Sequence, residues 1–188
     1  AGAAAAAELF PHQRATVAWM RCVEASSAEG CVSMQVAEVE FAGTTLGSEY
    51  EISLPNGGVI AHPPGSGKTR IVASLVAADV ERGSPSTLVI CPAHLCKQWS
   101  DEFSMLGALD KACVIDYDQV NSPDSARHLA KRHPWRRMVV DEPQDCPAGD
   151  VWRGIDVLAE EMRGSGASVW LLCGTAQSQL DTVGRLLL

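Results

Sequence analysis

Two glycines, a lysine and a hydroxyl fall close together in Ala61-His62-Pro63-Pro64-Gly65-Ser66-Gly67-Lys68-Thr69. Those residue types can form a phosphate cradle. Gly65 and Gly67 let the backbone bend so that successive N–H groups point at phosphate oxygens, and a helix opening at Lys68 adds its N-terminal dipole. Lys68 would reach the β- and γ-phosphates, and the Thr69 hydroxyl would ligate Mg²⁺. Pro64, Ser66 and Arg70 complete the nucleotide-side set, and the expected ligand is ATP. The strict Gly-x-x-x-x-Gly-Lys-Thr spacing is departed from once, because His62 stands at its first glycine position. A chance match is the alternative; a strand ending at Ala61 and a helix starting near Lys68 argue against it.

A second group, Met138-Val139-Val140-Asp141-Glu142, is an apolar run that ends in two carboxylates. A strand delivering such a pair at its C-terminal end can hold the metal through Asp141 and use Glu142 as general base on water. An Asp-Glu pair after a strand is by itself a common solvated turn. In series after a phosphate loop it is far more specific.

The elements that would position these groups alternate. Short apolar strands are expected at 59–61, 87–91, 113–115, 138–140 and 168–172, with helices near 68–81, 94–103, 125–132, 151–162 and 180–188. Continuous apolar strands between helices predict an α/β fold with a mostly parallel sheet covered on both faces. Ahead of them, Pro11 suits the first turn of a helix that carries Val17, Trp19 and Met20. The looser, β-prone stretch 31–54 reads as a hairpin inserted before the phosphate loop. Trp152, Ile155, Leu158 and Met162 fall at helical spacing and are expected in the core.

Composition sets bounds. A chain of 188 residues with 46% hydrophobic and 20% charged content suits one globular domain. No apolar run is long enough for a membrane span, so no membrane partner is expected. The net charge of −8 argues against gripping nucleic acid by charge alone, without excluding one lobe of a larger machine. Arg127, Lys131, Arg132, Arg136 and Arg137 form a local basic cluster that reads as a solvated face, with a DNA phosphate as the alternative partner. The seven scattered cysteines fit no zinc spacing, Cys91 and Cys96 beside His94 included, and read as free thiols of an intracellular protein. Residues 1–7 are a low-complexity lead-in. The missing N-terminal Met and the closing Leu186-Leu187-Leu188 suggest a piece of something longer.

Asp141-Glu142-Pro143-Gln144 resembles the Asp-Glu-x-His/Gln box of superfamily two helicases and translocases. Leu88 to Cys91, then Pro92, His94, Leu95, Gln98-Trp99 and Glu102-Phe103, closely resemble motif Ia of the Swi/Snf-type ATPases. Leu171-Leu172-Cys173-Gly174-Thr175 resembles that family's motif III. Leu9-Phe10-Pro11-His12-Gln13 resembles its adenine-reading motif, and Gly57-Gly58-Val59-Ile60-Ala61 its lead into the phosphate loop. The resemblance spans 9–188 with the motifs in family order. Pro134-Trp135-Arg136-Arg137 and the hairpin insert are similar to the RING-finger-bearing, SHPRH-like branch, which includes the helicase-like transcription factor.

The resemblance implies a first RecA-like lobe over 8–188, which needs a second lobe, absent here, to close on ATP and track along double-stranded DNA. It implies that Gln13 reads adenine, that Gln144 senses the γ-phosphate beside catalytic Lys68 and Glu142, and that Pro92, His94, Gln98, Trp99, Gly174 and Thr175 lie on the coupling and DNA side. A nuclear protein of chromatin remodelling or DNA repair is the corresponding expectation. His62-Pro63-Pro64, Pro143, Gln144 and Ala176 depart from the family's usual residues. His62 reads as a solvent-facing loop residue rather than a catalytic one. Two other functions remain open: a degenerate, non-hydrolysing lobe kept as an interaction module, and an RNA helicase of the same superfamily.

Overall fold

A computed structural model of the chain describes residues 9–26, 31–41, 44–53, 56–79 and 86–174, the hairpin stretches by backbone alone. The expected helix at 180–188, the lead-in 1–7 and Thr175 lie outside the described residues.

Helix α1 (Pro11–Ser26) opens at Pro11, whose missing N–H costs nothing in a first turn. Strands β1 (Cys31–Phe41) and β2 (Thr44–Ser53) pair antiparallel and form a sheet of their own. The main sheet is built from β3 (Gly57–Ala61), β4 (Thr87–Cys91), β5 (Ala112–Asp116), β6 (Arg137–Asp141) and β7 (Ser168–Cys173). Its order is β3-β7-β6-β4-β5, every pair parallel. The connecting helices are α2 (Lys68–Ala77), α3 (Cys96–Met105), α4 (Pro123–Ala130) and α5 (Asp150–Gly164). The fold is α/β with an all-parallel five-stranded sheet, as the alternation of apolar strands and helices predicts.

Strand periodicity sorts the core into two layers. Leu88, Ile90, Met138, Val140, Val169 and Leu171 face α4 and α5. Their neighbours Val89, Cys91, Val139, Trp170 and Leu172 face α1, α2 and α3. In β6 this alternation also decides where the chemistry goes. Arg137, Val139 and Asp141 share the α1–α3 side, and a one-residue slip in register would send Asp141 to the opposite layer. Gly58 permits close packing at the sheet edge: a Cβ there would stand 2.9 Å from Trp19 and 3.1 Å from Trp170, whose rings meet edge-on at 5.2 Å.

The helix boundaries differ from the sequence reading for physical reasons. Helix α2 ends at Ala77, and the Lys111 ammonium takes the carbonyls of Ala77 and Asp79 there. A 3₁₀ turn, Ala93–Leu95, precedes α3. Ser122 caps α4 by exchanging hydrogen bonds with Ser125, so that helix begins earlier than expected. Ile155, Leu158 and Met162 are buried as expected, with Trp152 half-buried against the same layer.

One member of the expected solvated basic face is corrected. Arg127, Lys131, Arg132 and Arg136 are exposed, but Arg137 is fully buried. Its guanidinium donates to both Glu24 oxygens at 2.8 and 2.7 Å and to Asp79 Oδ2 at 2.6 Å. Burial alone would make it easier to deprotonate; the two carboxylates more than reverse that and hold it charged. Position 137 belongs to the α1–α3 face of β6, so its side chain enters the layer instead of joining the surface cluster.

Candidate functional site

The C-terminal ends of β3 and β6 open onto one cleft of about 310 Å³, lined by Pro64, Gly65, Gly67, Lys68, Thr69, Arg70, Leu95, Gln98, Glu102, Asp141 and Glu142. Strand β7 lies between β3 and β6, so the cleft spans a reversal of strand order, where open parallel sheets bind their ligands. The phosphate-loop residues and both carboxylates, far apart in sequence, come together here.

The loop turns through glycine geometry. Gly65 and Gly67 have φ of +79° and +83°, and a Cβ on Gly67 would overlap the Gln13 amide. Helix α2 starts directly after Gly67, so its first N–H groups have no carbonyl one turn back to accept them. The Ser66 hydroxyl is buried and without a partner among the described residues. An orphaned buried donor beside an open turn fits a bound anion.

Lys68 Nζ donates to the His62 carbonyl at 3.1 Å and lies 3.7 Å from Glu142 Oε1. The other Glu142 oxygen accepts from Gln144 Nε2 at 2.5 Å. Glu142 itself has φ 48° and ψ 59°, the one positive φ outside glycine among the described residues. Strain of this kind persists where surroundings enforce it. Here the Glu142 N–H donates to Leu172 O at 2.9 Å, while the Tyr117 hydroxyl donates to the carbonyls of Asp141 (2.6 Å) and Glu142 (3.2 Å).

Asp141 is 5% exposed, and its Oδ2 accepts from Trp99 Nε1 at 2.9 Å. Burial pushes its carboxyl up to about 6; the Glu142 charge adds to that, while the Trp99 hydrogen bond and Lys68 oppose it. Gln98 Nε2 stands 3.5 Å from Thr69 Oγ1, at the long end of hydrogen-bond reach. Thr69 and Asp141 thus offer a hydroxyl and a carboxylate, hard oxygen donors that suit Mg²⁺ better than a softer metal.

Several expected positions are refined. Trp99, expected on the coupling and DNA side, is fully buried: α3 turns it and Phe103 into the core, and its indole N–H meets Asp141. Pro92 is buried, whereas His94 and Gln98 are exposed. Gly174 sits beside the Pro64 ring, placing the end of β7 against the phosphate loop. Gln13 uses both amide atoms within the protein, accepting from the Phe10 N–H at 3.0 Å and donating to the Ser66 carbonyl at 2.9 Å. Its side chain braces the loop from behind.

His62 is partly exposed on the loop, with Nε2 3.4 Å from Thr16 Oγ1 and its ring 6.0 Å from His12. Burial, then His12 and Lys68, disfavour its protonation. Arg70 pairs with Glu102 at 2.7 Å on the cleft wall.

Sequence reasoning missed Glu102 and Tyr117 as site residues. Glu102 follows Gln98 by one helical turn, a spacing that places both on the same face of α3. Nothing local marks Tyr117, whose hydroxyl reaches the turn from β5's far end.

Comparison with known proteins follows from this geometry. The family described as SNF2-related domain matches residues 12–124, more than half of the chain. The probable global transactivator of Orgyia pseudotsugata multicapsid polyhedrosis virus is 33% identical over 112 aligned residues, covering 47% of this chain and 22% of that protein. The crystal structure of the UvsW helicase from bacteriophage T4 aligns with a TM-score of 0.45 and 15% identity, over 72% of this chain and 52% of that one. The chain therefore spans about a fifth of the curated relative and about half of the solved helicase.

Proposed function

The chain belongs to the SNF2-related domain family, and from that premise we propose that it is the ATP-binding lobe of a DNA-dependent ATPase. Joined to a second RecA-like lobe, it hydrolyses ATP to move along double-stranded DNA. The observation that carries the reading is the meeting of Lys68 and Glu142 at 3.7 Å in a cleft that also holds Thr69, Asp141 and the phosphate-loop glycines.

The division of labour follows from chemistry. The loop N–H groups and the Ser66 hydroxyl receive phosphate oxygens, and Lys68 exchanges its carboxylate partner for the terminal phosphates. Thr69 and Asp141 would hold Mg²⁺, which would supply charge neutralisation for the phosphates. Glu142, once released from Lys68, accepts a proton from water, with Gln144 on its second oxygen. Gln13 sets the loop and is the candidate contact for adenine. The second lobe would add an arginine finger, worth about 10³–10⁵ in rate in related phosphoryl transfers.

Motif Ia and the end of β7 supply the coupling and DNA-facing side through exposed His94 and through Gly174-Thr175, with Gln98 on the nucleotide-cleft side of the same motif. Backbone and hydroxyl contacts to phosphate make such a surface compatible with a net charge of −8. A chromatin or repair substrate and a nuclear setting extend the same reading.

The test uses the full-length protein and its Glu142→Gln variant. DNA-stimulated ATP hydrolysis should fall by about 10²–10⁴-fold, the usual contribution of a general base, with nucleotide binding kept. Unchanged hydrolysis in the variant would refute the mechanism. Stimulation by duplex RNA but not by duplex DNA would move the protein to a helicase of the other substrate class.

A further inference from the structure

The two residues that offer oxygen to a cation, Thr69 and Asp141, are held by two consecutive residues of one helix. Trp99 Nε1 donates to Asp141 Oδ2 at 2.9 Å, and Gln98 Nε2 reaches Thr69 Oγ1 at 3.5 Å. Thr69 lies in the first turn of α2, Asp141 ends β6, and both supports come from α3. We propose that Gln98 and Trp99 are positioning residues for Mg²⁺, setting the orientation of both protein ligands before the cation arrives.

Chemistry favours an indole for this task. Its N–H donates and never accepts, so it can bind only one way to a carboxylate. It is also neutral, and so leaves the negative charge of Asp141 available to the cation, where a lysine would cancel it. The ring is fully buried and packed on Phe103 at 5.7 Å, which fixes its direction. A buried indole N–H needs an acceptor, and a carboxylate that is 5% exposed needs a donor. Each therefore completes the other. Asp141 accepts from Trp99 through Oδ2 and lines the cleft. Thr69 Oγ1 has a second lone pair beside the Gln98 contact, so it can face the cation with Gln98 still in place.

Helix α3 makes a third contact on the same wall, from Glu102 to Arg70. The 3₁₀ turn carrying exposed His94 leads directly into α3. A shift of α3 would therefore move both metal ligands together, which gives Gln98-Trp99 a role at the nucleotide site that a general phosphate loop does not require.

This inference rests on the reading of the cleft as a Mg-nucleotide site, and the experiment separates the two. Binding of a fluorescent ADP is titrated against Mg²⁺ for the parent chain, Trp99→Phe, Gln98→Ala and Asp141→Asn. Trp99→Phe keeps the aromatic bulk and removes the donor. It should bind nucleotide without Mg²⁺ within about twofold of the parent, and should need roughly 10–100-fold more Mg²⁺ for half-maximal enhancement. Gln98→Ala, at an exposed position, should raise that requirement severalfold. A Mg²⁺ requirement unchanged in Trp99→Phe, while Asp141→Asn raises it, overturns the inference and leaves the site reading standing. If Trp99→Phe does not fold, an unchanged requirement in Gln98→Ala overturns it instead. No saturable nucleotide binding by the parent overturns both.

Discussion

The ammonium of Lys68 lies 3.7 Å from the carboxylate of Glu142 and 3.1 Å from the carbonyl of His62. On the proposed reading, the residue that would receive phosphate and the residue that would activate water are thus partners across the cleft. Each occupies the other until a nucleotide competes for the lysine. With Glu142 also bound by Gln144, both of its carboxylate oxygens are engaged, so in the proposed mechanism nucleotide entry would free the base from Lys68.

The same loop predicts a difference between its two glycines. Both have positive φ, which costs an alanine about 1–2 kcal/mol. Gly65 has open space where its Cβ would go, whereas Gly67 has the Gln13 amide there. Gly65→Ala should lose only the strain energy in urea unfolding. Gly67→Ala should lose more, by the hydrogen bonds of a displaced Gln13, and release Gln13 from Ser66. Equal losses would mean that the Gln13 contact does not brace the loop.

At the opposite end of the sheet, Arg137 holds Glu24 and Asp79 together, and Glu24 also accepts from Trp170 Nε1 at 3.1 Å. Truncation to Met leaves two buried carboxylates with only the half-exposed Arg136, 3.8 Å from each, as a cation. The expected loss is about 3–5 kcal/mol in chemical unfolding. Adding Glu24→Gln and Asp79→Asn should recover part of it. A loss below about 1 kcal/mol for Arg137→Met would show that the cluster is solvated instead.

Asp141 gives a pH signature with a definite sign. Its carboxyl is pushed up to about 6 from the ordinary 3.8. Between those values the folded chain keeps a proton that the unfolded chain has lost. Stability therefore falls as pH rises through that window, and stays lowered above it. Asp141→Asn removes the effect while keeping an acceptor for Trp99. Without Mg²⁺ the variant should gain on the order of 1–3 kcal/mol at about pH 7.5, and the gain should vanish near pH 4. An equal gain at both values would assign it to packing.

The sequence made the strands and the loop legible because both signals are local. Apolar runs of strand length, Gly65 and Gly67 before Lys68, and a carboxylate pair closing β6 each sit within one element. Partnerships across the fold were not legible. Arg137 meets Glu24 from 113 positions away and Asp79 from 58. A basic cluster in sequence therefore hid one member that belongs to the core. Trp99 looked like a surface-side motif residue because only the rotation of α3 against β6 turns it toward Asp141. Gln13 was readable as part of a motif, but its grip on Ser66 depends on how α1 docks beside the loop.

Whether Lys68 sits in a working nucleotide site is decided by equilibrium binding of a fluorescent ADP with Mg²⁺ to the parent chain and to Lys68→Ala. Saturable binding by the parent chain, weakened by at least about tenfold in the variant, is the result this account predicts; loss of even one charge-assisted phosphate contact is worth about that much. Equal binding by the two chains, or none by either, would contradict it.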